Sequence, residues 1–198
     1  MGDAIPGFGF FLWIIIAGIL LIVLCTIVPW FVRKYNDFYI LINTSESKFN
    51  QIRVYMKKRL DLINQLREAT ESYIKFERGT FEGVTAMRSA VDNAKPENID
   101  RIDTESKSLL GRLIAVVENY PDLKTNTLVT DLMASIRNVE NEIAQHRYSY
   151  NTTTQEFNTL MDTIPSNFVG KIISLQKLKY IDFEEDITNY PVAASLTK

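Results

Sequence analysis

The sequence predicts an all-α protein: an N-terminal transmembrane helix that continues into an elongated, antiparallel four-helix-bundle-like domain with two long and two short helices. Three observations carry this reading. No charged side chain occurs from Ala4 to Val32. Beyond Arg33, apolar residues recur at three- and four-residue steps, the spacing of one helix face. No stretch shows the two-residue alternation of a half-buried strand.

The membrane helix comes first. A span needs roughly 20 apolar residues at about 1.5 Å each, and Phe8 to Val28 supplies that length. Trp13, Trp30 and Phe31 suit the membrane–water interfaces, and Pro29 kinks the exit without ending the helix. A cleaved signal peptide would begin with basic residues and carry a small-residue cleavage site, whereas Asp3 is the only charge before the apolar run. The run is therefore read as an uncleaved anchor. Lys and Arg are absent before it, while Arg33 and Lys34 follow directly, so the N-terminus is expected outside the cell membrane and the helical domain in the cytoplasm.

The first long helix continues through Phe38, Ile42, Phe49, Ile52, Met56, Ile63, Leu66, Tyr73 and Phe76, with no Gly or Pro between Pro29 and Gly79. At 1.5 Å per residue it reaches on the order of 60 Å beyond the bilayer. A short second helix carries Phe81, Val84 and Val91 and breaks at Lys95-Pro96, because proline pushes the residue before it out of the helical region. The third opens at Pro96-Glu97-Asn98, buries Ile99, Ile102, Leu109, Leu113 and Val116, and stops before Pro121. Gly111 weakens it without breaking it. The fourth helix, capped by Asp122 or Thr125, has the most regular seam of the chain. That seam runs Leu132, Ile136, Val139, Ile143, His146, Tyr150, Thr153, Phe157, Leu160 and Ile164 before Pro165. A last amphipathic segment from Asn167 to Phe183 mixes apolar residues with Lys171, Lys177 and Lys179 and lies either on the membrane surface or on its own bundle. The expected division is residues 1–32 as membrane anchor, 33–183 as helical domain and 184–198 as irregular tail.

Two long helices cannot be covered evenly by two short ones. The membrane-proximal seams would then expose Phe38, Tyr39, Phe49, Phe157 and Leu160, an apolar surface that favours self-association beside the bilayer and a homo-oligomer.

Chemistry is sparse by comparison. With 22 basic and 24 acidic residues and a net charge of −2, nucleic acid is not an expected partner. The single cysteine, Cys25, lies in the span, which excludes an internal disulfide framework and a cysteine zinc site. His146 is the only histidine; it follows Glu142 by one turn and could join Glu118 or Asp122 around a metal. The paired Glu-x-x-His motifs of di-iron bundles are missing, and His146 sits on the seam between Ile143 and Tyr150, so a packed histidine is expected. Nucleophilic catalysis lacks a base beside Ser or Cys. No catalytic residue, cofactor, metal or small-molecule substrate is expected.

Arg59 and Asp61 fall opposite Arg137 and Glu140 if the long helices pair antiparallel. Two readings stand: a buried ionic network that fixes register, or a solvated face. Asn36, Asn151 and Asn158 on helix interiors are candidates for fixing register or oligomeric state.

Several blocks together resemble the LemA family of small membrane proteins. They are Tyr35-Asn36, Lys58-Arg59-Leu60-Asp61-Leu62-Ile63, Glu118 to Asn126 around Tyr120-Pro121-Asp122-Leu123-Lys124, and Glu140 to Ala144 with Arg147 and Tyr150-Asn151. The resemblance covers about Tyr35 to Phe183. It departs at Asn64, where the family has proline, at Phe157-Asn158, where it has a second Tyr-Asn, and at Ile164-Pro165, where Phe-Pro is usual. It implies a four-helix-like domain behind an N-terminal span and no established catalytic residues. Some members are associated with membrane protease systems, and relatives take part in building magnetosome membranes. The expected function is a membrane-anchored, non-enzymatic scaffold or adaptor. The alternatives are a membrane-shaping oligomeric coat, or a metal-dependent enzyme using His146.

Overall fold

The structure is a computed structural model that describes residues 8–71, 73 and 78–181. Phe76 and the tail from residue 182 lie outside the described residues, as do the side chains of Phe8 and Phe81. Among the described residues the chain forms six helices and no strand.

Helix α1, Phe8–Thr70, runs 63 residues with Pro29 inside it. It ends before the expected Tyr73, where the Thr70 hydroxyl donates back to the carbonyls of Leu66 and Arg67 at 2.9 and 3.0 Å. Its first part is long and apolar enough to cross a membrane. Thr26, the one hydroxyl in that part, donates to Ile22 and Val23 carbonyls at 3.0 Å, so its polar group is satisfied within its own helix.

Helices α2, Arg78–Asp92, and α3, Ile99–Asn119, follow. Tyr120 is extended, with φ −116° and ψ 105°, as the residue before a proline prefers. Pro121 then opens α4, the single turn Pro121–Lys124. Helix α5, Thr127–Asp162, is 36 residues long. Its cap is neither Asp122 nor Thr125 but Asn126, whose Oδ1 accepts from Leu128 N at 2.9 Å and Val129 N at 3.4 Å. The one-turn α4 occupies the residues expected to cap, which moves the helix start on by one turn.

Helix α6 is only Ser166–Ile172, much shorter than the expected amphipathic segment. It ends in a Schellman motif: Leu175 N donates to Gly170 O at 3.0 Å and Ser174 N to Lys171 O at 3.1 Å, with Ser174 at φ 55°. A glycine usually marks that left-handed position. Serine there hides the stop. Beyond it, residues 175–181 are non-helical.

The chain divides into two compact units. The first comprises Met1–Thr44 and Gln155–Leu178. Its centre is Phe38, Phe157 and Val169, with Trp30, Phe31, Leu160 and Met161 packed against them; the Phe38 and Phe157 rings meet edge to face at 5.6 Å. Leu178 is tied to α5 there by Asn158, which donates to Leu178 O and accepts from Leu178 N, both at 2.9 Å.

The second unit comprises Ser45–Thr154 and Lys179–Lys198. Its core includes Ile52, Met56, Ile63 and Leu66 of α1, Leu110 and Leu113 of α3, and Val139 and Ile143 of α5. Ile181 is held there by Asn151, which donates to its carbonyl at 2.8 Å and accepts from its N–H at 3.0 Å. Tyr150 donates to Lys179 O at 3.0 Å.

Candidate functional site

The densest concentration of charge in the second unit is built on three helices. On α1, Ile52, Met56, Ile63 and Leu66 mark a buried row, and the three-then-four step between Met56 and Ile63 falls on Arg59. On α3 the same row runs Ile99, Asp103, Ser106, Leu110, Leu113, so an aspartate and a serine occupy core positions. All of these are buried, Arg59 at 0% and Asp103 at 2% exposure.

The charged side chains pair with one another. Arg59 Nη1 donates to both oxygens of Glu140 on α5, at 3.0 and 3.1 Å. Its Nη2 donates to Asp103 Oδ1 at 2.6 Å and to Ser106 Oγ at 2.8 Å. Arg147, also on α5, donates to Asp103 Oδ2 at 2.7 Å, and Lys107 reaches the same oxygen at 2.9 Å. Three cations thus surround Asp103. A planar guanidinium matches a carboxylate in this forked way, which a lysine could not reproduce.

Burial opposes charge on both central groups, and their partners outweigh it. Desolvation works against the Arg59 cation, yet Glu140 and Asp103 hold it above the usual guanidinium value. Desolvation likewise opposes the Asp103 anion, yet Arg59 and Arg147 keep its carboxyl below the ordinary carboxylate range. Arg147 is lowered to about 10, by burial first and by the nearby Arg59 charge against the pull of Asp103. It remains a cation at neutral pH. A carboxylate already accepting three charged donors is a weak base, so the cluster acts chemically as a lock joining α1, α3 and α5.

Of the four residues expected in a register network, the structure joins Arg59 and Glu140 and leaves the other two out. Asp61 pairs with Arg88 of α2, both about half exposed, and Arg137 is exposed on α5. The reason is angular: Asp61 lies two residues from Arg59, hence on a different face of α1. Asp103, Ser106, Lys107 and Arg147 were missed. The signal for Asp103 and Ser106 was a seam on α3 that keeps its four-three rhythm through polar residues.

The expected exposed apolar surface is also corrected. Phe38, Phe49 and Phe157 are buried, at 0%, 5% and 1% exposure. In the first unit, α6 and the residues after it fold over Phe38 and Phe157. In the second, Phe49 meets Tyr150 at 5.8 Å and carries the Arg53 guanidinium 4.9 Å from its ring. Tyr39 is exposed and Leu160 partly so. Leu160 lines an open groove of about 510 Å³ with Asp37, Ile40, Leu41, Gln155, Glu156 and Thr159.

Trp13 and Val28 face outward from α1, whereas Trp30 is partly buried. His146 stacks on Tyr55 at 5.0 Å, with Glu142 3.6 Å from its Nε2. Among the described residues no three His, Cys, Asp or Glu side chains converge on a metal site.

Comparison with known proteins places these residues in context. A family model described as the LemA family matches residues 48–193. Magnetosome protein MamQ 2 of Paramagnetospirillum magneticum is 24% identical over 174 residues, covering 74% of this chain and 64% of its own length. Protein LemA of Metamycoplasma hominis is 25% identical over 157 residues, covering 78% of this chain and 72% of its own. The chain thus spans just under two thirds of the MamQ relative. Every residue of the ionic lock lies within the range that the family model matches, which takes in most of the chain, and this protein belongs to the LemA family.

Proposed function

We propose that this chain is a single-pass, membrane-anchored, non-enzymatic scaffold or adaptor that self-associates or binds other membrane proteins. The observation that carries this reading is the continuity of α1: one unbroken helix holds the apolar run and, further along, the buried Arg59 that ties it to α3 and α5. An anchor on the same helix as a locked core suits a protein whose work is to hold partners at a bilayer. The lock also supports a four-helix-bundle-like arrangement of the two long helices with the shorter α2 and α3. Arg33 and Lys34 favour a cytoplasmic helical domain and an N-terminus outside the cell membrane. The small net charge favours protein and lipid partners over nucleic acid, and no small-molecule substrate enters this reading.

With Phe38, Phe49 and Phe157 enclosed, the partner surface we assign is the open groove beside Tyr39, where Ile40 is 61% exposed. An Ile40→Cys variant in a cysteine-free background, crosslinked in native membranes at natural expression, should give dimers or larger species. Monomer alone, with no copurifying membrane protein, overturns the reading. The magnetosome relatives favour a second one, a membrane-shaping oligomeric coat, for which reconstituted protein should form ordered oligomers and alter vesicle curvature.

A further inference from the structure

Helix α6 presents two unlike faces. Ser166, Val169 and Gly170 are buried in the first unit, and Gly170 is so close to α1 that an added Cβ would lie 3.4 Å from Phe38 Cζ and 2.6 Å from Met161 Sδ. On the other side Phe168 and Ile172 stand one turn apart and are 57% and 69% exposed, and Ile164, in the turn before the helix, is 77% exposed. The four-residue step puts Phe168 and Ile172 in one ridge of α6. Lys171 is exposed beside the ridge, while Lys177 is neutralised by Asp162 at 2.8 Å. Three large exposed apolar side chains on and beside so short a helix, with a cation next to them, are unusual on a water-facing surface.

The position of this ridge along α1 identifies what covers it. Trp30 and Phe31, at the end of the uncharged run, pack against the same cluster to which α6 contributes Val169. Phe38, which α6 touches, lies about 9 Å along the helix beyond Val32 at 1.5 Å per residue. The polar layer of one leaflet is about 5–8 Å thick, half the difference between the whole bilayer and its hydrocarbon. The contacts of α6 therefore run from Trp30 and Phe31, at the hydrocarbon boundary, to Phe38, at or just past the outer edge of the headgroups.

We propose that α6 is an interfacial helix: Ile164, Phe168 and Ile172 insert at the boundary between headgroups and acyl chains, and Lys171, with Arg33 on α1, meets anionic lipid headgroups. A short amphipathic element bound in this way makes a second membrane contact beside the span. It would hold α6 and the start of the soluble helices at a set depth. The inference rests on the reading that α1 crosses the bilayer.

The test uses the full chain in a Cys25→Ala background, reconstituted in nanodiscs of phosphatidylcholine and phosphatidylglycerol. Single nitroxide labels are placed at Leu20, Phe168 and Ile172, and their collision rates with oxygen and with a water-soluble nickel chelate are compared. Leu20 should give the highest oxygen-to-nickel ratio, and Phe168 and Ile172 ratios between that and bulk water. A dry Leu20 with fully wetted Phe168 and Ile172 overturns the interfacial helix and leaves the span standing. A wetted Leu20 overturns the span itself. Dipolar broadening between labels at Phe168 would assign the ridge to a second copy of the chain and also overturns the proposal.

Discussion

Asp103 accepts from Arg59, Arg147 and Lys107 while almost wholly buried, so its removal takes from both guanidinium groups the carboxylate they share. Breaking a buried ion pair by deleting one partner typically costs about 3–5 kcal/mol, and Asp103→Ala should lose stability of that order in chemical denaturation of the detergent-solubilised chain. Asp61→Ala, which removes only a half-exposed pair with Arg88, should lose less than about 1 kcal/mol. The pH dependence has a definite sign. Because the folded state holds the Asp103 carboxyl below its ordinary value, its contribution is complete above about pH 4, the unfolded value, and is lost as pH falls through the lower folded one. In Asp103→Asn the acid-side decline of stability should be shallower; an unchanged profile would mean that another group governs acid unfolding. Two of the six residues of this site were legible beforehand. Arg59 and Glu140 were named because antiparallel pairing brings their helices together, but Asp103 was not, since a lone aspartate in an apolar row reads as surface until its partners are known.

Helix ends were legible where proline marks them and hidden where another residue does the work. Pro121 places the boundary between α3 and α4, whereas α6 ends at Ser174, whose left-handed backbone no composition rule signals. The segment beyond is held by side-chain amides, Asn158 to both polar backbone groups of Leu178 and Asn151 to both of Ile181. These asparagines were candidates for fixing register or oligomeric state; each takes the place of a backbone partner for an extended segment. Asn158→Ala removes two hydrogen bonds and should cost about 1–3 kcal/mol at the usual net value per bond. Hydrogen exchange at the Leu178 amide is the direct measurement: protection should fall there and persist in the middle of α5. Equal protection in both chains would mean that apolar packing of Leu178 alone retains the segment.

For the chain as a whole, membrane attachment is the property on which its proposed role depends. Leu20→Arg places a charge in the middle of the apolar run, which costs about 2.5–3.5 kcal/mol on an insertion scale. The variant should shift from alkali-resistant membrane pellets towards the soluble fraction, and full retention in the pellet would argue for a stronger second attachment. The apolar run, the helical content and the proline-marked breaks were determined by sequence alone, because each depends on neighbours within a few turns: an uninterrupted uncharged length, a three- and four-residue period, a missing N–H. Tertiary structure decided which polar residues enter the core and which apolar ones are covered. Arg59 meets Asp103 and Glu140 across 44 and 81 residues of chain, and Phe38 is covered by residues beyond α5. The energy of a buried charge depends on whether partners arrive from distant segments to neutralise it, and that information is absent from any local pattern.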